Sequence, residues 1–360
     1  MILAGGGTGG HIYPGLAVAQ ALLAGGGSHE LLYVGTRGRL DGDIVGRAGL
    51  PFASVRAGAL RVRSPLAMLR GLWNLALGTA QAWRLVGRVR PDAVFATGGY
   101  ASVPVGLAAR LRARPLLVYL PDVRPGWAVR FLARIATRVA TTMERSLDEL
   151  PKGKAVAVGY PVREAFWTSK RDDARARLRL PAGERVLLVA GASQGARRIN
   201  EAVAQQLDAL LERCHVLHVT GAADEAALRR RRDELPDATR DRYHVHGYLD
   251  DMAGAMIAAD LAVLRSGAST LGELPAAGLP AVLVPGVYEG GYDQRANARF
   301  LAEQGAAVVL ENDELDRLTD TIGALLEDEA SRRTMADAAR RLARPDAART
   351  MARLLEEVAA

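Results

Sequence analysis

Two stretches of this chain begin alike. Ile2 to Ala4 is a short apolar run, Gly5-Gly6-Gly7-Thr8-Gly9-Gly10 closes it, and a helix-forming run follows from Pro14 to Ala24. Val186 to Ala190 is a second apolar run, closed by Gly191-Ala192-Ser193-Gln194-Gly195-Ala196-Arg197 and followed by another helix-forming run. An apolar strand that ends in a glycine-rich turn and passes into a helix is the start of a parallel α/β sheet. Further strands follow the first start at Leu31 to Val34, Asp92 to Ala96, Pro115 to Tyr119 and Val156 to Gly159. The second start is followed by His215 to Thr220, Tyr243 to His246, Leu261 to Leu264 and Ala281 to Val284. At 360 residues, two domains are the natural expectation. The reading is therefore α/β, with two Rossmann-like domains facing across a cleft. They span 1–160 and 161–344, and a C-terminal helix in 345–360 could pack back on the first.

Composition narrows the partners. A net charge of +7 favours something acidic: phosphate, nucleic acid or anionic lipid. Cys214 is the only cysteine, which excludes a disulfide framework or a cysteine zinc site and fits a reducing compartment. The chain opens directly into a strand and a glycine loop, which reads as no signal peptide. No apolar run reaches transmembrane length, so membrane contact is expected to be peripheral.

The densest stretch for chemistry is 260–297. The strand Leu261 to Leu264 ends at Arg265-Ser266-Gly267-Ala268, where the N–H groups and dipole of the following helix favour an anion. Glu273 lies in that helix, near enough to accept a hydroxyl, and Gln294 and Asn297 on the next loop both donate and accept. These residues read either as a nucleotide-sugar site or as an ordinary strand–helix–strand unit with a solvated glutamate.

The first glycine loop fits GxGxxG, but the second strand ends at Tyr33-Val34-Gly35-Thr36 without the acid that holds a dinucleotide ribose. NAD and FAD are thereby disfavoured. The loop serves either a diphosphate or a tight turn. His11 follows it directly and is either a base or a structural hydrogen-bonding residue. Ser193 and Gln194 on the second loop either hold a phosphate or cap a helix. Asp41-Gly42-Asp43 has the form of a metal-binding DxD, but it follows a basic, exposed-looking segment and reads as a solvated helix start. His215, His218, His244 and His246 alternate with apolar residues, lack metal-ligand spacing and read as structural. Between 60 and 90, Leu66, Leu69, Leu72, Trp73, Leu77, Trp83 and Val86 recur at helical spacing among Arg61, Arg63, Arg70, Arg84, Arg88 and Arg90, with no acid. That pattern suits an anionic membrane surface, or a core-facing helix with a basic outer face.

Taken in order, GGTGGHIYPGLAVAQAL, GTRGRLDGD, TGGYASVPVGLAA, VGYPVR, GASQGARRIN, GYLDDM and RSGASTLGELPAAGLPAVLVP resemble the bacterial peptidoglycan glycosyltransferase family. The likeness runs from residue 4 to about residue 310, and it is specific because several motifs occur together. It implies a GT-B fold without a cofactor or a dedicated metal site. It implies UDP-N-acetylglucosamine as donor and an undecaprenyl-diphosphate-linked muramyl-pentapeptide, lipid I, as acceptor, joined with inversion to give lipid II. It also implies peripheral attachment to the anionic cytoplasmic face of the plasma membrane, and no nucleic acid. On the matching positions the donor would meet Arg163, Ser193, Gln194, Leu249, Met252, the Arg265-Ser266-Gly267-Ala268 turn, Glu273, Gln294 and Asn297. The acceptor would meet Thr8, Gly9, Gly10, His11, Gly98, Gly99 and Tyr100. Two departures stand out. Tyr119-Leu120-Pro121-Asp122 occupies the place of the family's His-Glu-Gln-Asn, and Tyr160 replaces an Asn before Pro161. With that His and Glu absent, His11 is the expected base and Asp122 its rival.

Overall fold

The computed structural model describes residues 1–36, 41–58, 65–191, 196–288 and 292–360. It contains two compact units. The first comprises Met1–Arg163 and Arg344–Ala360 together with Tyr288 and Tyr292; the second comprises Glu164–Val287 and Asp293–Ala343.

The first unit is built on a seven-stranded parallel sheet. Its strands are β1 (Ile2–Ala4), β2 (Leu32–Thr36), β3 (Phe52–Val55), β4 (Val94–Ala96), β5 (Leu116–Leu120), β6 (Arg138–Thr141) and β7 (Ala155–Ala157), in the order β3-β2-β1-β4-β5-β6-β7. Ile2, Leu3, Phe95, Leu117 and Val118 are fully buried, as expected when helices cover both faces of a parallel sheet. Helix α1 (Gly9–Ala24) begins five residues before the Pro14 start read from sequence, because the glycine loop itself turns into the first helical turn. Pro14 therefore lies inside the helix, where it can offer no N–H to the carbonyl of Gly10. The Tyr160 hydroxyl donates to that carbonyl instead, at 3.2 Å. The C-terminal helix Ala347–Ala359 packs on α1 within this same unit and buries Met351, Leu354 and Leu355.

The second unit has a six-stranded parallel sheet: β8 (Val186–Ala190), β9 (His215–Val219), β10 (Tyr243–His246), β11 (Leu261–Leu264), β12 (Ala281–Leu283) and, after a short ribbon β13 (Val287–Tyr288) and β14 (Tyr292–Asp293), β15 (Ala307–Val309). Its order is β10-β9-β8-β11-β12-β15. Each sheet thus reverses its winding beside its first strand, between β1 and β4 in one and between β8 and β11 in the other. In open parallel sheets, ligands bind outside the carboxyl ends of the strands at that reversal.

Helix α2 (Asp41–Arg47) starts where the sequence reading put it, but that reading of Asp41 as solvated is corrected. Asp41 is 1% exposed, and its carboxylate accepts from the backbone of the glycine loop. Helix α3 (Pro65–Val89) divides the expected apolar face in two. Leu66, Leu69, Leu72 and Trp73 are exposed, whereas Ala82 and Val86 are buried in the core that α3 shares with α4 (Ser102–Leu111).

Candidate active site

At the reversal point of the first sheet, the loop after β1 and the loop after β4 lie back to back. A Cβ on Gly99 would stand 2.1 Å from the carbonyl oxygen of Gly6, and Gly99 has φ of +75°, so only glycine fits. His11, in the first turn of α1, is held from both sides by the second loop. Its Nδ1 lies 2.9 Å from the Thr97 carbonyl oxygen, and the Thr97 hydroxyl donates to the His11 carbonyl at 2.5 Å. A carbonyl oxygen can only accept, so Nδ1 carries the proton and Nε2 keeps the lone pair of the neutral ring. That is the tautomer a general base requires. Gly98 lies against the imidazole: a Cβ there would be 2.7 Å from Nδ1. Ser102 secures the same loop, accepting from the Gly98 N–H at 3.0 Å and donating to the carbonyls of Gly98 and Ala4. Thr8, Gly9, Gly10, His11, Gly99 and Tyr100 all have some exposure, so this end of the unit is open to a ligand.

Asp122 follows β5, two strands from β1 at the same carboxyl edge of the sheet. Its Oδ1 accepts from the Tyr292 hydroxyl at 2.9 Å, so one of its two oxygens is already engaged. Tyr119 is fully buried. Its hydroxyl pairs with the Thr142 hydroxyl at 2.7 Å and donates to the Gly159 carbonyl, and burial pushes its pKa well above the usual phenol range. Tyr119 is therefore a packing residue. Arg163, read as a donor contact, belongs to the first unit, with its guanidinium over the Tyr13 ring at 4.5 Å.

In the second unit, the turn after β11 leads into the helix Thr270–Ala277. The Ser266 hydroxyl donates to the Gln294 carbonyl at 3.1 Å, Asn297 Nδ2 donates to the Ser266 carbonyl at 3.0 Å, and Gln294 Oε1 accepts from Gly286 N–H at 2.9 Å. Gln294 and Asn297 are buried. Arg265 Nη1 donates to the carbonyls of Val284 and Pro285 and to Asn312 Oδ1. These bonds make Arg265 and Asn297 braces of the turn. Gln294 also braces it, yet its Nε2 lies beside Gly267, 3.5 Å from where a Cβ would be, at the face of the turn. Glu273, Leu249 and Met252 are half-buried, and Met252 opens a helix capped by Asp251, whose carboxylate accepts from Gly254 N–H at 2.8 Å. Pro275 stays within its helix. Ser193 and Gln194 lie outside the described residues.

The histidines of β9 and β10 are structural. His218 is fully buried between the Tyr243 hydroxyl at 2.9 Å and Asn200 Oδ1 at 3.0 Å, and burial pushes its pKa down to about 3. His215 pairs with His244 and Glu184. Sequence reasoning missed two residues that shape the first site, Thr97 and Asp41. Thr97 carries a faint signal, a hydroxyl residue between a strand end and a glycine pair. Asp41 carries none, since its role depends on a contact with a loop 34 residues away.

Residues 1–141 match the glycosyltransferase family 28 N-terminal domain, and residues 186–351 match the family 28 C-terminal domain. The chain is 42% identical to the UDP-N-acetylglucosamine–N-acetylmuramyl-(pentapeptide) pyrophosphoryl-undecaprenol N-acetylglucosamine transferase of Roseiflexus sp. (strain RS-1), over 98% of this chain and 94% of that protein. It is 41% identical to the enzyme of the same description in Salinibacter ruber, over 98% and 95%. Among solved structures, Acinetobacter baumannii MurG superposes with a TM-score of 0.74 at 26% identity, covering 99% of this chain and 98% of that one. The two parallel-sheet Rossmann-like units are those of a GT-B glycosyltransferase.

Proposed function

Because this chain belongs to glycosyltransferase family 28, among the N-acetylglucosamine transferases of peptidoglycan synthesis, we propose that it moves N-acetylglucosamine from UDP-N-acetylglucosamine to lipid I and so makes lipid II. The observation that carries the mechanism is the contact of His11 Nδ1 with the Thr97 carbonyl, which assigns the proton to Nδ1 and the lone pair to Nε2. Nε2 takes the proton of the acceptor's 4-hydroxyl, and that oxygen attacks the donor's anomeric carbon as the bond to UDP breaks, with inversion. The diphosphate that leaves gains charge, and the N–H groups at the Ser266–Ala268 turn stabilise it. Glu273 accepts from the ribose hydroxyls, Gln294 meets the sugar through its amide nitrogen, and Leu249 and Met252 flank the uracil. The Thr8–Gly10 and Gly98–Tyr100 loops hold the acceptor's diphosphate side.

The same proposal places the chain peripherally at the anionic cytoplasmic face of the plasma membrane. No helix among the described residues is long and apolar enough to cross a membrane. The exposed Leu66, Leu69, Leu72 and Trp73 on α3, beside Arg70, form a surface of the kind that inserts into the headgroup region.

The test is turnover of a short-chain lipid I analogue with UDP-N-acetylglucosamine, followed by UDP release and by the mass of the disaccharide product. His11→Ala should lower kcat by roughly 10²- to 10⁴-fold with UDP binding retained. Asp122→Asn should cost far less. A protein that ignores the lipid I analogue but glycosylates another acceptor would overturn the acceptor assignment. An active His11→Ala with an inactive Asp122→Asn would overturn the base.

A further inference from the structure

Asp41 is an ionisable side chain deep in the first unit, and its hydrogen-bond partners among the described residues are backbone amides. It is 1% exposed. Its Oδ1 and Oδ2 accept from Gly7 N–H at 3.1 and 3.3 Å, and Oδ2 accepts from Thr36 N–H at 2.9 Å. Burying a carboxylate is costly unless charge-assisted hydrogen bonds offset it, and backbone amides can do so. The cost is borne at one particular place. Asp41 Oδ2 also packs against Gly6, where a Cβ would come within 2.2 Å of it. Gly6 and Gly7 belong to the loop that ends in His11, and the Gly6 carbonyl is the point at which that loop touches Gly99.

At glycine loops that bind nucleotides, the loop amides close around a ligand's phosphate. Here the Gly7 amide already closes around a carboxylate of the chain itself. We propose that Asp41 is a positioning residue that does permanently what a bound phosphate does elsewhere. It organises the Gly5–Gly10 loop before substrate arrives, so that His11 is held against Thr97 in the reactive tautomer. A second consequence follows from charge. With a carboxylate behind Gly7, an anionic acceptor meets the loop at Gly9 and Gly10, whose first-turn N–H groups have no partner within the helix. The proposal rests on His11 being the base.

The experiment replaces the carboxylate and then returns it. Asp41→Ala leaves a cavity that formate can enter. In the transferase assay with saturating UDP-N-acetylglucosamine, Asp41→Ala should lower kcat roughly 10- to 100-fold, the scale of a base displaced by about an ångström. The donor KM should stay within about two-fold. Formate should restore kcat several-fold in Asp41→Ala and leave the unsubstituted protein unchanged; a residue that only stabilises the fold would not give formate-dependent kcat at a temperature where the variant is fully folded. Asp41→Asn keeps the shape but turns an NH₂ toward one of the amides, so it should lose an intermediate amount of kcat. If Asp41 works through His11, the double variant Asp41→Ala/His11→Ala should be no slower than His11→Ala alone. Wild-type kcat in a folded Asp41→Ala, or losses that multiply in the double variant, would overturn the proposal. Full activity in His11→Ala alone would instead overturn the base assignment on which it rests.

Discussion

Gly98→Ala is a one-methyl perturbation aimed at the base. Gly98 has φ of +101°, a region that costs a residue with a Cβ roughly 1–2 kcal/mol. The new methyl would lie 2.7 Å from His11 Nδ1 and 2.8 Å from Cε1, where ordinary contact begins at 3.4 Å. The ring or the loop must therefore give way by about 0.7 Å, and the ring is tied to the Thr97 carbonyl by only one hydrogen bond. A shift of that size is comparable to the misplacements that cost about 10²-fold in rate. Steady-state turnover of UDP-N-acetylglucosamine with a lipid I analogue should show kcat down by 10- to 100-fold. UDP affinity by calorimetry should be unchanged, and the melting temperature should fall by only a few degrees. Gly46→Ala is the control: it lies in α2 with open space at its Cβ, so it should leave kcat alone and add up to about 1 kcal/mol of stability. Wild-type kcat in Gly98→Ala, or a loss of UDP binding in its place, would sink the idea that this glycine exists to seat the imidazole.

Two further outcomes are expected. His218 is neutral in the folded protein because burial lowers its pKa to about 3, while the unfolded chain protonates it below about 6.5. Its contribution is complete above pH 6.5 and is lost as pH falls toward 3, at no more than about 1.4 kcal/mol per pH unit; urea titrations of His218→Gln across that window should show an acid limb shallower by one proton. On α3, replacing Leu66, Leu69 and Trp73 by Ser should weaken binding to anionic vesicles at least about tenfold. The melting temperature should hold, and a large drop in it with vesicle binding intact would make these residues part of the core.

Many strands were legible as short, largely apolar segments, and Val186–Ala190, Tyr243–His246 and Leu261–Leu264 have the predicted limits, whereas β3 and β15 carried too weak a pattern to be read. The α1 boundary was not, because Pro14 suggests a helix start and nothing nearby shows that Tyr160 would satisfy the carbonyl Pro14 leaves open. The site was legible as loops and only partly as roles. Charge and hydrogen-bonding capacity marked Arg265 and Asn297 as residues of the site, and sequence alone could not show that they also brace the end of β12 and the β11 turn. Asp41 was misjudged for the same reason: local polarity predicts exposure, and only the tertiary contact with Gly7 reverses it.

The tie between Pro14, Gly10 and Tyr160 also bears on how this chain can drift. Pro14 creates a need that Tyr160 meets from 150 residues along the chain, so the two positions are physically coupled. A lineage that loses the tyrosine hydroxyl first leaves a carbonyl unsatisfied beside His11. A lineage that first restores an N–H at position 14 makes the hydroxyl redundant, after which position 160 can vary. While proline stays at position 14, the Gly10 carbonyl favours a side chain at position 160 that can donate a hydrogen bond.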